Sequence, residues 1–297
     1  MSDAPALVAV TGSTGRLGRA VVAALAREGI GTVALSRPEY DLDDSDSAAT
    51  VIARHGPDVV INCAAWTAVD DCARDPDLAM RRNAQAVGEL AAACAGARAR
   101  LVHVSTNEVF DGERSDGEGY VETDEPRPIN SYGSSKLAGE IAAREAFARH
   151  ACDENLLIVR TAWLFGPPGN DFPTKMLAAA DRLPAEQPLP VVVDEIGSPT
   201  YAPDLADAIV ALVARSTFGG VRHIVNAGRA PRCEVAQTVF TACRPGRRTV
   251  GVSRSVFNRP SRPPAWAVLA TNRAAGPGEP LRPWRDALGV YLASICS

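Results

Sequence analysis

The segment Thr11-Gly-Ser-Thr-Gly-Arg-Leu-Gly18 constrains this chain more than any other stretch. It follows an apolar run, Ala6–Thr11, that reads as a strand. It precedes Leu17–Glu28, which has helical periodicity and stops at Gly29. A strand that turns into a helix within a few residues needs backbone freedom at the turn. Gly12 permits the tight turn, Gly15 lets backbone approach a pyrophosphate, and Gly18 lets helix and strand pack closely. The helix N-terminus then offers free N–H groups and the positive end of its dipole to phosphates. Three glycines alone are a weak signal, because any such turn tolerates Gly. Their place directly after an N-terminal strand is what points to a dinucleotide.

The alternation continues through the first half of the chain. Strands are expected at Thr32–Ser36, Asp58–Asn62, Arg100–Ser105 and Leu156–Thr161, and helices at Asp46–His55, Asp77–Gly96 and Ser134–Arg149. Strands separated by helices imply parallel βαβ units and a doubly wound α/β sheet of the Rossmann type. After Trp163 the pattern loosens. Pro167, Pro168, Pro173, Pro184, Pro188 and Pro190 punctuate a stretch that reads as loop. Beyond it, helices are expected at Asp204–Ala214, Cys233–Cys243 and Trp284–Ile295, a strand near His223–Asn226, and a loop at Arg259–Pro264. The expected division is a cofactor domain over 1–165, with segments near 190–226 returning to it, and a smaller, interleaved substrate domain mainly over 166–297.

Composition limits the partners. The chain has 297 residues, 46% hydrophobic, with a formal net charge of −4, enough apolar content to bury a core without metal or disulfide staples. Its arginines are dispersed, so a nucleic-acid partner is not expected. Met1–Val10 lacks the basic and apolar regions of a secretory leader, and no apolar run approaches the length of a membrane span. The seven cysteines show neither CxxC nor zinc spacing, so thiols in a reducing cytoplasm, and no metal, are expected.

Strand two should end where the adenosine ribose lies. An acidic residue there suits NAD, whereas Ser36-Arg37 suits the 2′-phosphate of NADPH. Asp41 and Asp43 just downstream soften that preference and leave NADH open. Of 31 basic residues only Lys136 and Lys175 are lysines, a bias that reads as Arg replacing Lys wherever a solvated charge suffices. Lys136 falls in Tyr132-Gly-Ser-Ser-Lys136, where i, i+4 spacing puts both side chains on one helical face. An ammonium beside the phenol should lower its pKa, so that Tyr132 can hand a proton to a carbonyl oxygen as hydride arrives at carbon. Thr106, at the end of strand four, could donate to the same oxygen.

Together these motifs resemble an extended short-chain dehydrogenase/reductase, and more closely the dTDP-4-dehydrorhamnose reductase family. The resemblance is carried by Asn62-Cys-Ala-Ala-Trp-Thr-Ala-Val-Asp70, Arg82-Asn83, Val104-Ser-Thr-Asn-Glu-Val-Phe-Asp-Gly112, Glu122-Thr-Asp124, Arg160-Thr-Ala-Trp163, Gly197-Ser-Pro-Thr200 and Arg262-Pro263. It implies Thr106, Tyr132 and Lys136 as catalytic residues. The cofactor is then expected against Gly12, Thr14, Gly15, Arg16, Leu17, Gly18, Ser36, Arg37, Asp41 and Leu42. Cys63, Ala64, Ala65, Thr67, Asn83, Ser105, Tyr132 and Lys136 complete that set. Substrate contacts are expected from Val69, Thr106, Asn107, Glu108, Trp163 and Arg262. Some members of the family form magnesium-linked dimers; a homodimer stays open here, with no sequence basis for the metal.

One departure stands out. Asn107-Glu108 occupies the place of the family's Asp-Tyr. Nucleotide-sugar dehydratases resemble this strand end with Thr-Asp-Glu, but Asn107 cannot give a carboxylic proton, so dehydration is disfavoured. The expectation is an NADPH-dependent reduction of the C4 keto group of a dTDP-4-keto-6-deoxysugar in deoxysugar biosynthesis. The alternatives are an NAD-retaining epimerase or dehydratase, and a non-catalytic regulatory subunit of the same fold.

Overall fold

The computed structural model describes residues 5–184, 186–276 and 279–296; the start of the segment weighed as a leader, Met1–Ala4, lies outside them. The first half alternates as expected: β1 (Leu7–Thr11), α1 (Arg16–Arg27), β2 (Gly31–Leu35), α2 (Ser47–His55), β3 (Val59–Asn62). Three short helical segments follow: α3 (Val69–Arg74), α4 (Pro76–Met80) and a π-turn (Arg81–Gln85) that runs into α5 (Ala86–Gly96). Then come β4 (Arg100–Thr106), α6 (Ser131–Arg149) and β5 (Leu156–Thr161). All four residues of β3 are buried, as a strand covered by helices on both faces requires.

The main sheet has six parallel strands in the order β2-β1-β3-β4-β5 followed by Gly220–His223. The chain leaves β1 for β2 on one side and returns to place β3 on the other. A crevice therefore opens at the carboxyl ends of β1 and β3, where open α/β sheets bind ligands. Leu17, Val21, Ala24 and Leu25 of α1 pack on one face of the sheet beside Leu205, Ile209 and Val213 of α8 (Ala202–Ala214). Helices α2, α5 and α6 cover the opposite face. A separate apolar cluster joins α7 (Phe172–Asp181), α9 (Arg232–Cys243) and α10 (Trp284–Ile295) around Phe165, Tyr201 and Trp284.

Four expectations are corrected. The helix expected over Asp77–Gly96 is interrupted by the π-turn, where Asn83 bonds a neighbouring loop and Gly139 of α6 sits against its carbonyl; a Cβ on Gly139 would lie 2.2 Å from Asn83 O. The strand expected near His223–Asn226 is Gly220–His223, with Asn226–Ala227 pairing elsewhere. The Pro-punctuated stretch contains α7, because Pro173 falls in its first turn, where no N–H is required, and Asp171 caps it. Cys243 and Cys296 are joined by a disulfide that ties the end of α9 to the end of α10 across 53 residues of sequence. Spacing carries no trace of that pair; the other five cysteines are free.

Candidate active site

The glycines act as their spacing suggested, with one addition. Gly12 adopts φ +62°, and a Cβ there would lie 2.7 Å from the backbone N of Ala64, so Gly12 also admits the loop that leaves β3. A Cβ on Gly18 would stand 2.2 Å from Gly12 O, so α1 and the turn are in direct contact. Gly15 is the N-cap of α1 and no side chain caps this end, which leaves its first N–H groups free for an anion.

These residues open onto a cavity of about 280 Å³. Gly12, Thr14 and Gly15 form one wall, and Cys63, Ala64 and Ala65 another. Ser36, Arg37, Asp41 and Leu42 close the far end. Ten of the expected cofactor residues thus share one space. The uncapped helix end beside glycines and the basic group at the distal end fit a dinucleotide phosphate.

Other expected cofactor residues are placed differently. Arg16 turns away: its guanidinium donates to Gly166 O at 3.2 Å and Gly169 O at 2.7 Å, and stands 4.0 Å from Asp171, tying the glycine turn to the start of α7. The Leu17 side chain is buried in the core, so Leu17 and Gly18 can offer a ligand only backbone. Thr67 is exposed outside the cavity lining. Asn83 is fully buried, and its amide accepts from Trp66 N at 2.8 Å and donates to Trp66 O and to Ser135 Oγ. It positions the Trp66 loop. The Ser105 hydroxyl donates to Glu140 Oε1 at 2.6 Å and is unavailable to a cofactor. The cavity also takes in Tyr40, Asp43, Trp66 and Arg82, which were not among the expected cofactor residues.

Trp66 connects this cavity to the catalytic group, because it and Val69 pack against Tyr132, Cys72 and Ala79. Asn130 caps α6 by accepting from Gly133 N at 2.8 Å, which starts the helix at Ser131 and puts Tyr132 in its first turn. Thr106, at the end of β4, stands beside the Tyr132 phenol and pulls its pKa down. One expectation is reversed here. Burial, reinforced by the Glu108 carboxylate, pushes the phenol above its ordinary value, and Thr106 only partly offsets this.

Lys136 is buried one turn along, where its Nζ donates to Val104 O at 2.8 Å and lies 3.5 Å from His103 Nε2. Burial pulls its pKa down to about 8, against the opposing pull of Glu140 and Cys63. Behind it runs a buried polar chain. Thr11 donates to Asn62 Oδ1 at 2.6 Å, which turns the Asn62 amide nitrogen toward His103 Nδ1 at 3.1 Å. With Nδ1 turned to Asn62, the other ring nitrogen, Nε2, lies on the Lys136 side. Burial and then Lys136 hold His103 well below the usual imidazole range.

The residues expected at the substrate gather beyond Tyr132. Asn107 is buried; its Oδ1 accepts from Thr106 at 3.4 Å, and its Nδ2 has no partner among the described residues. Glu108 accepts from Asn130 Nδ2 at 2.8 Å; burial raises its pKa more than Asn130, Arg232 and Arg259 lower it. Trp163 has φ +43°, a conformation that side-chain-bearing residues rarely hold without reinforcement. Its indole is closely packed: a Cβ on Gly197 would be 2.5 Å from the ring, and the Arg232 guanidinium lies 3.5 Å from the ring centroid. The Arg262 side chain is exposed, while its carbonyl accepts from Asn130. Arg232 itself was not expected at the site; it comes from the start of α9, some seventy residues after Trp163, with no motif to mark it.

A family model described as the RmlD substrate binding domain matches residues 6–296. The chain is 42% identical to a dTDP-4-dehydrorhamnose reductase of Mycobacterium tuberculosis over 96% of this chain and 92% of that one. It is 38% identical to a dTDP-4-keto-6-deoxy-D-glucose reductase of Streptomyces niveus, over 94% of both chains. Among solved structures it is similar to a dTDP-4-dehydrorhamnose reductase of Bacillus anthracis in complex with NADP. The TM-score is 0.87 at 30% identity, over 97% of this chain and 99% of that one.

Proposed function

The chain belongs to the RmlD substrate binding domain family, and from that premise we propose that it reduces the C4 keto group of a dTDP-4-keto-6-deoxysugar with NADPH. NADPH, when bound along the Gly12–Gly18 turn, supplies the hydride. The observation that carries the reading is the buried Tyr132 phenol, which packs with Trp66 against the cavity. A reduction needs a proton for the developing oxygen. Tyr132 can give it: burial and Glu108 keep the phenol protonated across the working range, and the developing alkoxide is basic enough to draw the proton away. Thr106, beside that phenol, can donate to the same oxygen. Lys136, in its ammonium form below about pH 8, offers donors for ribose hydroxyls.

In this reading the sugar lies against Val69, Asn107 and Glu108, and the Nδ2 of Asn107 is a donor for a sugar hydroxyl. Trp163 and the arginines at 232, 254, 259 and 262 face the nucleoside diphosphate end. Segments 1–165 and 190–226 carry the cofactor, and 166–297 mainly the substrate. The reading carries with it a cytoplasmic enzyme without a nucleic-acid partner. Among the described residues no helix is long and apolar enough to cross a membrane. A homodimer is the assembly to check by sedimentation. The test is a panel of dTDP-4-ketosugars with NADPH or NADH, with products identified by NMR. One NADPH consumed per ketosugar is expected. A protein that purifies with tightly held NAD and turns over without added NADPH would sink the reading.

A further inference from the structure

Arg82 and Asp43 meet in the lining of the cofactor cavity, from elements far apart in sequence. Arg82 stands on the π-turn; its Nε donates to Asp43 Oδ1 at 2.8 Å and its Nη2 to Oδ2 at 2.6 Å. The guanidinium also lies 5.3 Å from the Trp66 ring centroid, so it is held on two sides. Both residues line the same cavity as Ser36 and Arg37. Asp43 is itself positioned, because its N–H donates to Asp41 Oδ1 at 3.1 Å. Its carboxylate is held below the ordinary range first by the bond from Arg82 and then by the charges of Arg81 and Arg37.

We propose that the Arg82–Asp43 pair sets the preference between NADPH and NADH, Arg82 as a second basic group for the 2′-phosphate and Asp43 as the group that restrains it. This rests on reading the cavity as the cofactor site. A 2′-phosphate brings a second anionic group to a wall on which Asp43 cancels one of two guanidinium charges. Removing the carboxylate leaves Arg37 and Arg82 opposed only by the more distant charges of Asp41 and Asp75 and favours NADPH. NADH presents a neutral ribose diol there, for which a carboxylate is an acceptor and an arginine gives no comparable gain. Unlike Ser36-Arg37, neither member of this pair is selected by the end of strand two alone.

The measurement is direct binding of NADPH and NADH to the purified protein by fluorescence titration, without sugar, at low and moderate salt. Asp43→Asn should tighten NADPH by roughly five- to tenfold relative to NADH, and Arg82→Gln should shift the ratio the opposite way. Both shifts should shrink as salt rises, since Asp43 is exposed. An unchanged NADPH/NADH ratio in Asp43→Asn, with Arg82→Gln also unchanged, would overturn the proposal. Wild-type protein that binds neither nucleotide would overturn the reading of the cavity and this proposal with it. Circular dichroism of both variants confirms that each compared protein is folded.

Discussion

The two ends of the site are built on opposite electrostatic plans. At the end proposed for the adenosine the charges are numerous and partly exposed: Arg37, Arg82, Asp41 and Asp43 line the cavity, with Arg82 paired to Asp43. At the catalytic end they are few and buried. Lys136, His103, Glu140 and Arg160 lie beneath the sheet edge, nearly inaccessible to solvent. Water screens the first set, so each charge there shifts an affinity by a modest factor. Burial governs the second set, where a charge must be bonded or must titrate away. Single substitutions at the proposed adenosine end are therefore expected to shift cofactor preference, and those at the buried end to cost far more.

The largest effect tests the catalytic end. Tyr132→Phe should lower kcat by roughly 10²–10⁴-fold, while the dissociation constant for NADPH, read by fluorescence, stays close to that of the parent. Retained turnover would remove Tyr132 from its role.

Next is the support beneath it. Glu140 accepts from Arg160 Nη2 at 2.7 Å and Nε at 2.9 Å, from Ser105 and from Arg144. Burial alone would raise this carboxyl, but Arg160 outweighs it and the net direction is down. Arg160→Met leaves a buried carboxylate with weaker partners and should cost about 3–5 kcal/mol in urea unfolding. A change well under 1 kcal/mol would mean that the pair is not a buried one.

A third effect is of pH. The ammonium of Lys136 is present below about pH 8 and lost as pH rises through it, so kcat/KM should fall above that value by roughly tenfold per unit. Tyr132, pushed upward, keeps its proton through that window, so the fall belongs to Lys136. A profile flat to pH 10 would contradict the assignment. The smallest effect sits at the exposed end. Arg37→Ala should weaken NADPH binding by roughly five- to tenfold and NADH much less, and equal losses for both would place Arg37 outside the 2′-phosphate site.

The same contrast separates what could be read in the sequence from what could not. The Gly12–Gly18 turn was legible because strand, turn and helix are contiguous, and their steric demands fall on neighbouring residues. Tyr132 and Lys136 were legible because one helical turn sets their spacing. Arg82 and Arg232 were not, since the sheet order and the α9 packing bring them in from distant segments. The direction of the Tyr132 shift was misread for a related reason. Spacing brings a lysine near, but burial and Glu108 dominate the phenol.

Ser105 and Asn83 show the limit most plainly. Each stands beside residues that line or border the site, and each was expected at the cofactor. The fold gives their polar atoms to Glu140 and to the Trp66 loop instead. The sequence by itself determined the alternation of strand and helix, the phosphate-facing turn and the Tyr–Lys pair, because those depend on backbone sterics and helical pitch over a few residues. Only the tertiary structure decided which polar groups remain free to meet a ligand, which charges are screened and which titrate. Those properties depend on what packs around a side chain, and its neighbours in space are mostly remote in the chain.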